Sequence, residues 1–141
     1  MDKRDLIILR EMQKTDEPFI YRSVLMGTYH GNKSKSAGSV DFFSAIEQDT
    51  FMNLYHKHVE SILSRPGVIV LIACLKDDPD VILGFSIVDG TTLHFVFVKP
   101  AWRKIGLAND LVPKNISTVT GFTRVGDIIR RRKGLVFNPW A

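Results

Sequence analysis

The chain has one cysteine, Cys74, among 141 residues. No disulfide can form within it, so a packed core must hold the fold. That thiol closes the run Val68-Ile69-Val70-Leu71-Ile72-Ala73, which reads as a buried strand where a thiol is packing rather than a nucleophile. A lone cysteine also fits a reducing compartment, and a cytoplasmic location is expected. No apolar run nears the roughly 20 residues of a membrane helix. The start, MDKRDLIILREMQ, lacks the apolar stretch and small residues of a secretory signal. No membrane partner is expected. Histidines are four and scattered. His56 and His58 stand two apart on a predicted helix and face different ways, so they cannot share a metal. No metal site is expected, and neither the phosphate-loop lysine pattern nor G-x-S-x-G occurs. Tyrosine is absent after Tyr55.

What is present suits one globular domain over residues 1–141, with 45% hydrophobic and 24% charged residues. The net charge of +4 fits an anionic ligand as well as nucleic acid. Leu6–Leu9 reads as a first strand. Thr15 or Asp16 caps a helix with Pro18 in its first turn, fading by Gly27 or Gly31. The stretch HGNKSKSAGSV, residues 30–40, reads as a loop. A second helix starts at Asp49 or Thr50, buries Phe51, Leu54, Tyr55, His58, Ile62 and Leu63, and stops at Pro66-Gly67. Val68–Leu75, Val81–Val88 and Thr92–Val98 form an antiparallel meander, the last two joined at Asp89-Gly90. Along Thr92–Val98, alternation puts Leu93, Phe95 and Phe97 on one face and His94, Val96 and Val98 on the other. A helix over Leu107–Val112, a strand over Ile116–Phe122, a basic helix over Val125–Lys133 and a strand over Leu135–Phe137 follow. The order β-α-α-β-β-β-α-β-α-β implies an α+β sandwich, with about six mostly antiparallel strands and about four helices.

The stretch VFVKPAWRKIGLANDL, Val96–Leu111, carries the chemistry. Pro100 ends a strand, and Arg103, Gly106 and Ala108 form R-x-x-G-x-A where a helix begins. The first amides of a helix have no partner within it and favour an anion. Gly106 lets the backbone approach a ligand or turn with positive φ, and Arg103 and Lys104 add charge. A diphosphate fits this description.

At Val98-Lys99-Pro100 and Arg103-Lys104-Ile105-Gly106-Leu107-Ala108 the sequence resembles the GNAT superfamily of N-acetyltransferases. The element order extends that likeness over nearly the whole chain, and short GNAT-like proteins of tailed bacteriophages are similar in look. The resemblance implies acetyl-CoA as cofactor and an amine acceptor, on a small molecule or a protein. Pantetheine would lie along the backbone of Val96 and Val98. The diphosphate would sit on Arg103, Lys104, Ile105, Gly106, Leu107 and Ala108, with Asn109 at the margin. Thr118 to Phe122 would form the other side of the gap, and the Val96 or Phe97 backbone N–H would be the oxyanion donor. Where the family often carries a glutamate base this chain has Thr92. His94, with an ordinary pKa near 6.5, is the candidate base or water relay, and packing on a sheet face is its alternative role. The late tyrosine that family members use as an acid has no counterpart.

Arg130-Arg131-Arg132-Lys133 reads as a solvated helix face, with nucleic acid as the alternative. No aromatic residue interleaves it, which argues against a stacking platform. Phe137 and Trp140 are candidates to seal an oligomer.

Overall fold

The computed structural model describes residues 2–30, 46–121 and 124–141, with the backbone alone at 124–126. One six-stranded sheet runs in the order β1-β2-β3-β4-β5-β6. The strands are β1 (Ile7–Glu11), β2 (Val68–Leu75), β3 (Ile82–Asp89), β4 (Thr92–Val98), β5 (Thr118–Val119) and β6 (Val136–Phe137). The first four pair antiparallel, while β4–β5 and β5–β6 pair parallel. The helices are α1 (Glu17–His30), α2 (Gln48–Leu63), α3 (Leu107–Leu111) and α4 (Arg124–Lys133). This is the expected mixed sheet with four helices.

The sheet separates two cores. On one face Ile20 and Val24 of α1 and Val59 and Ile62 of α2 meet Ile72, Cys74, Phe85, Ile87 and Phe95. Cys74 is fully buried there, in the packing role expected of it. On the other face Leu107 and Leu111 of α3 and Ile129 of α4 meet Leu83, Leu93, Val96 and Val98. Each fully buried side chain of this size contributes about 1.5–3 kcal/mol. Ser86, also buried, donates from Oγ to the Leu111 carbonyl at 2.7 Å, satisfying a group that the end of α3 leaves unpaired.

Several expectations shift. A 3-10 turn takes Lys3–Leu6, so β1 begins at Ile7. The first helix passes through Gly27, whose bare Cα accommodates the Phe95 ring, and ends at His30, beside the later of its two expected stops. On α2, Phe51 and Ile62 are buried and Tyr55 and Leu63 pack against the core as expected, but Leu54 is 62% exposed and His58 is exposed, while Val59 is buried. The fifth expected strand shrinks from Ile116–Phe122 to Thr118–Val119. The β4 alternation breaks between Leu93 and Phe95, because Ile87 pairs with Phe95 while Val88 pairs with Leu93. His94 is the extra residue of a bulge, so Leu93 joins Val96 and Val98 on the α3 face. The segment 31–45, with most of the expected loop, lies outside the described residues, as does the structure of Phe122.

One buried ion pair ties β1 to the start of α1. Arg10 donates twice to Asp16, at 2.7 and 3.0 Å, and Asp16 also accepts the Gln13 amide at 2.7 Å. The hydrogen bonds from Arg10, opposed by burial, hold the Asp16 carboxyl below its ordinary range. A depressed carboxylate pKa stabilises the fold above the ordinary carboxylate value, and that stability is lost as pH falls through the folded one. Asp16→Asn removes the charge partner of Arg10, which keeps its bonds to the Glu11 and Pro79 carbonyls, and should cost about 1.5–3 kcal/mol in urea unfolding at pH 7, with the gap to wild type closing as pH falls through the depressed Asp16 value.

Candidate functional site

The site grows from β4. Lys99 donates its amide to Leu83 O at 2.8 Å. Bonded pairs in an antiparallel ladder recur every second residue, so Phe97 and Phe95 also turn their backbone groups to β3. The Phe97 carbonyl oxygen lies 2.5 Å from where a Cβ on Gly84 would stand, which makes position 84 a place for glycine alone. Val96 and Val98 therefore turn their amides and carbonyls to the opposite edge. Of the two expected oxyanion donors, the Phe97 amide faces away from that edge and the Val96 amide faces it.

On that edge β4 pairs with β5 only at Thr92–Thr118 and Leu93–Val119, followed by Thr120 N–H to Leu93 O at 3.1 Å. Beyond His94 no further β4–β5 pairing occurs among the described residues. A Cβ at Gly121 would come within 2.9 Å of the His94 carbonyl, so glycine lets the chain pass as the strands part. Val98 O accepts from Arg103 Nε at 2.8 Å. The Val96 side chain is buried, so only its backbone serves the gap.

The gap opens onto a cleft of about 570 Å³. One wall holds Val98, Trp102, Arg103, Lys104 and Gly106, continued by Leu107, Ala108 and Asn109 of α3. The first helical bond is Asp110 N–H to Gly106 O at 3.2 Å, so the amides of Leu107, Ala108 and Asn109 have no acceptor inside the helix. Lys104 and Gly106 both adopt left-handed φ, 68° and 83°. The left-handed φ is what calls for glycine at 106, and the tip of the Arg4 side chain lies 2.8 Å from where a Cβ would stand. Ile105 does not line the cleft. Its side chain packs against the core, and its carbonyl accepts from Arg4 Nη1 at 2.8 Å while Arg4 Nη2 binds Asp110 at 2.7 Å. Lys3 donates to Ala101 O at 2.8 Å and lies over the Trp102 ring. The N-terminal turn thus pins the loop from outside.

The other wall is α4: Ile128, Ile129, Arg132 and Lys133. The basic run, expected as a solvated face with nucleic acid as the alternative, sends two of its members here. Asp127 binds Arg130 and Arg131 at 2.9 and 3.0 Å. Arg103, Lys104, Arg132 and Lys133 face the cleft with no carboxylate among its lining residues. Such a site selects anions.

His94 lies at the deep end of the gap, 6% exposed. Its Nδ1 stands 2.8 Å from Thr120 Oγ1, and its Nε2 is buried without a partner among the described residues. Burial, then the positive charge of Arg65, pushes its pKa below the ordinary 6.5, with Asp89 opposing. The imidazole is therefore neutral at pH 7. No group of three or more candidate metal ligands occurs among the described residues, and none of their helices is long and apolar enough to cross a membrane.

No protein-family model matches the chain, and no curated protein matches it. Solved structures do. An aminoglycoside N-acetyltransferase in complex with CoA is similar at 17% identity and TM-score 0.50, over 92% of this chain and 87% of that one. A protein from Pyrococcus furiosus assigned to the acetyl transferases is similar at 13% identity and TM-score 0.56, over 92% and 77%. At such identities the likeness speaks for fold: the chain has the α+β fold of the GNAT acetyltransferases.

A histidine held neutral by burial stabilises the fold above its unfolded pKa, and that stability is lost as pH falls below it. Wild type should lose thermal stability from pH 7.5 to 5.5. His94→Gln should flatten that part of the curve in a pH series of melting scans.

Proposed function

We propose that residues 1–141 form a single acyltransferase domain that uses acetyl-CoA to acetylate an amine. The observation that carries this reading is the parting of β4 and β5 onto a cleft lined by four cations and no carboxylate, in the fold of the GNAT acetyltransferases. The donor set fits the cofactor. The bare Val96 and Val98 backbone suits the amides of pantetheine, and the Gly106 turn with the α3 amides, Arg103 and Lys104 suits a diphosphate. Acetyl-CoA supplies an acetyl group activated as a thioester.

The chain's own residues supply the rest. The Val96 N–H is the donor for developing negative charge. Neutral His94 moves a proton through the Thr120 hydroxyl, the atom that connects its ring to the gap. The acceptor is an amine on a small molecule, as the aminoglycoside enzyme's name indicates for that protein, or on a protein.

A second reading, a module that binds CoA without turnover, is favoured by specific features. His94 Nε2 is buried out of solvent contact, Thr92 stands where the family often has a glutamate, and no tyrosine follows Tyr55. Calorimetry and thiol release separate the readings. Acetyl-CoA should bind, and the thiol should appear with at least one amine in a panel. His94→Ala should slow release about a hundredfold or more while leaving acetyl-CoA affinity within about twofold. No heat at roughly millimolar ligand ends both readings, and binding without release for any amine leaves the second.

A further inference from the structure

A groove of about 590 Å³ lies between the start of α1 and the end of α2, and its charge has the opposite sign to that of the cleft. It reaches Met12, just past β1, whose amide bonds Val70 O. β1 stands three strands from β4 in the sheet order, and α1 and α2 cover the face opposite α3. The groove is therefore separate from both the gap and the cleft. Within it Tyr21 and His56 stack across the two helices, with ring centroids 4.3 Å apart and planes 16° from parallel. Glu60 stands 3.8 Å from His56 Nδ1. Burial first, then the charges of Glu60 and Glu17, pushes the Tyr21 hydroxyl above its ordinary pKa, so both carboxylates act at one place. In a chain of net charge +4, no lysine or arginine lines this groove. Glu60 also sits in the last turn of α2, which has no basic residue. That end of a helix carries partial negative charge and favours a cation, so a carboxylate there has the unfavourable sign. Breaks of a local rule concentrate at functional sites.

We propose that this groove is a ligand site of its own, which takes a small organic ammonium ion with an apolar or aromatic body. The charge is held by Glu17 and Glu60 beside the Tyr21–His56 ring pair, and the body packs on Met12 and Leu63. Carboxylates alone would serve any cation, but a stacked ring pair and two apolar side chains favour one carried on carbon. The volume is that of a small-molecule site. The site is independent of the acetyltransferase reading. Its ligand needs no N–H, because it is held by charge and ring contact and is not consumed.

The probe is benzyltrimethylammonium, a quaternary ion that no acetyltransferase can acetylate. Calorimetry on the full chain at low salt should show binding at about millimolar or tighter. Benzyl alcohol, which keeps the ring without the charge, should bind about tenfold more weakly or not at all. Salt at about 0.5 M should weaken the probe several-fold. Glu17→Gln/Glu60→Gln should weaken it about fivefold or more, and Tyr21→Leu about twofold or more. Circular dichroism checks that each variant keeps its helices, and the glutamate variant alters only side chains at the surface. Binding of the probe by a chain that ignores acetyl-CoA supports this site while ending the cofactor reading. No heat with about 10 mM probe, equal affinity for benzyl alcohol, or full affinity in the folded glutamate variant overturns the proposal. So does binding of tetralysine without binding of the probe, which would make the groove a surface for a basic peptide.

Discussion

Beyond His94, β4 pairs with β3 on one side and with no strand among the described residues on the other, and the rest of the site follows from that asymmetry. Backbone N–H and C=O groups are almost always satisfied in folded proteins, and leaving one buried without a partner costs about 1–3 kcal/mol. The β3 ladder is secured by Gly84, whose missing side chain admits the Phe97 carbonyl, and by the Phe85, Phe95 and Phe97 rings, with centroids 5.7 and 5.8 Å apart. The β5 ladder ends at the Thr120 amide. Val98 recovers one partner from its own loop, through Arg103. The Val96 amide and carbonyl face the parting strands, where water or a ligand with amides of its own completes them. A bulge at His94 aids the separation, since an inserted residue bends and twists a strand locally.

The loop after β4 is held by contacts from distant parts of the chain. Arg4 and Lys3 grip the carbonyls of Ile105 and Ala101 from the N-terminal turn, and Ser86 holds the far end of α3 from the centre of the sheet. The Arg4–Asp110 pair is half exposed, so its direct contribution to stability is small. Its geometric effect is larger, because with Gly106 in a left-handed conformation and Arg4 beside it, the α3 amides are aimed before any ligand arrives. Such preorganisation removes an ordering cost from binding.

The sequence made some of this legible. β2 and β4 match their expected bounds because turn residues bracket them, Pro66-Gly67, Asp77-Asp78-Pro79 and Asp89-Gly90. The cleft wall was legible too, apart from Ile105, since a glycine and two cations at a strand-to-helix junction have a local physical meaning. Long-range geometry was not. Ile116–Phe122 looks like a full strand, yet the strands must part, so pairing stops after Thr118–Val119. The period-2 reading of β4 failed at His94 because a bulge there leaves no mark in residue type. Arg132 and Lys133 read as solvent-facing because nothing local says that the end of α4 returns to the loop after β4. Trp102, Ile128 and Ile129 escaped notice for the same reason.

Under the acetyltransferase proposal, the two departures from the pattern that the sequence resembles differ in weight. A protonated alkyl amine has a pKa near 10.4, so taking its proton at pH 7 costs about 4–5 kcal/mol. A departing thiolate has an ordinary pKa near 8.5, so in solvent held at pH 7 it ends as the neutral thiol without a dedicated acid. The missing tyrosine thus removes help from a step that needs little. The missing glutamate touches the larger barrier. His94 has its pKa lowered, which keeps the ring free to accept a proton but makes it a weaker base. Within the proposed reaction, an amine less basic than lysine, such as an α-amine with pKa near 7.7–8.0, meets a correspondingly smaller barrier to losing its proton.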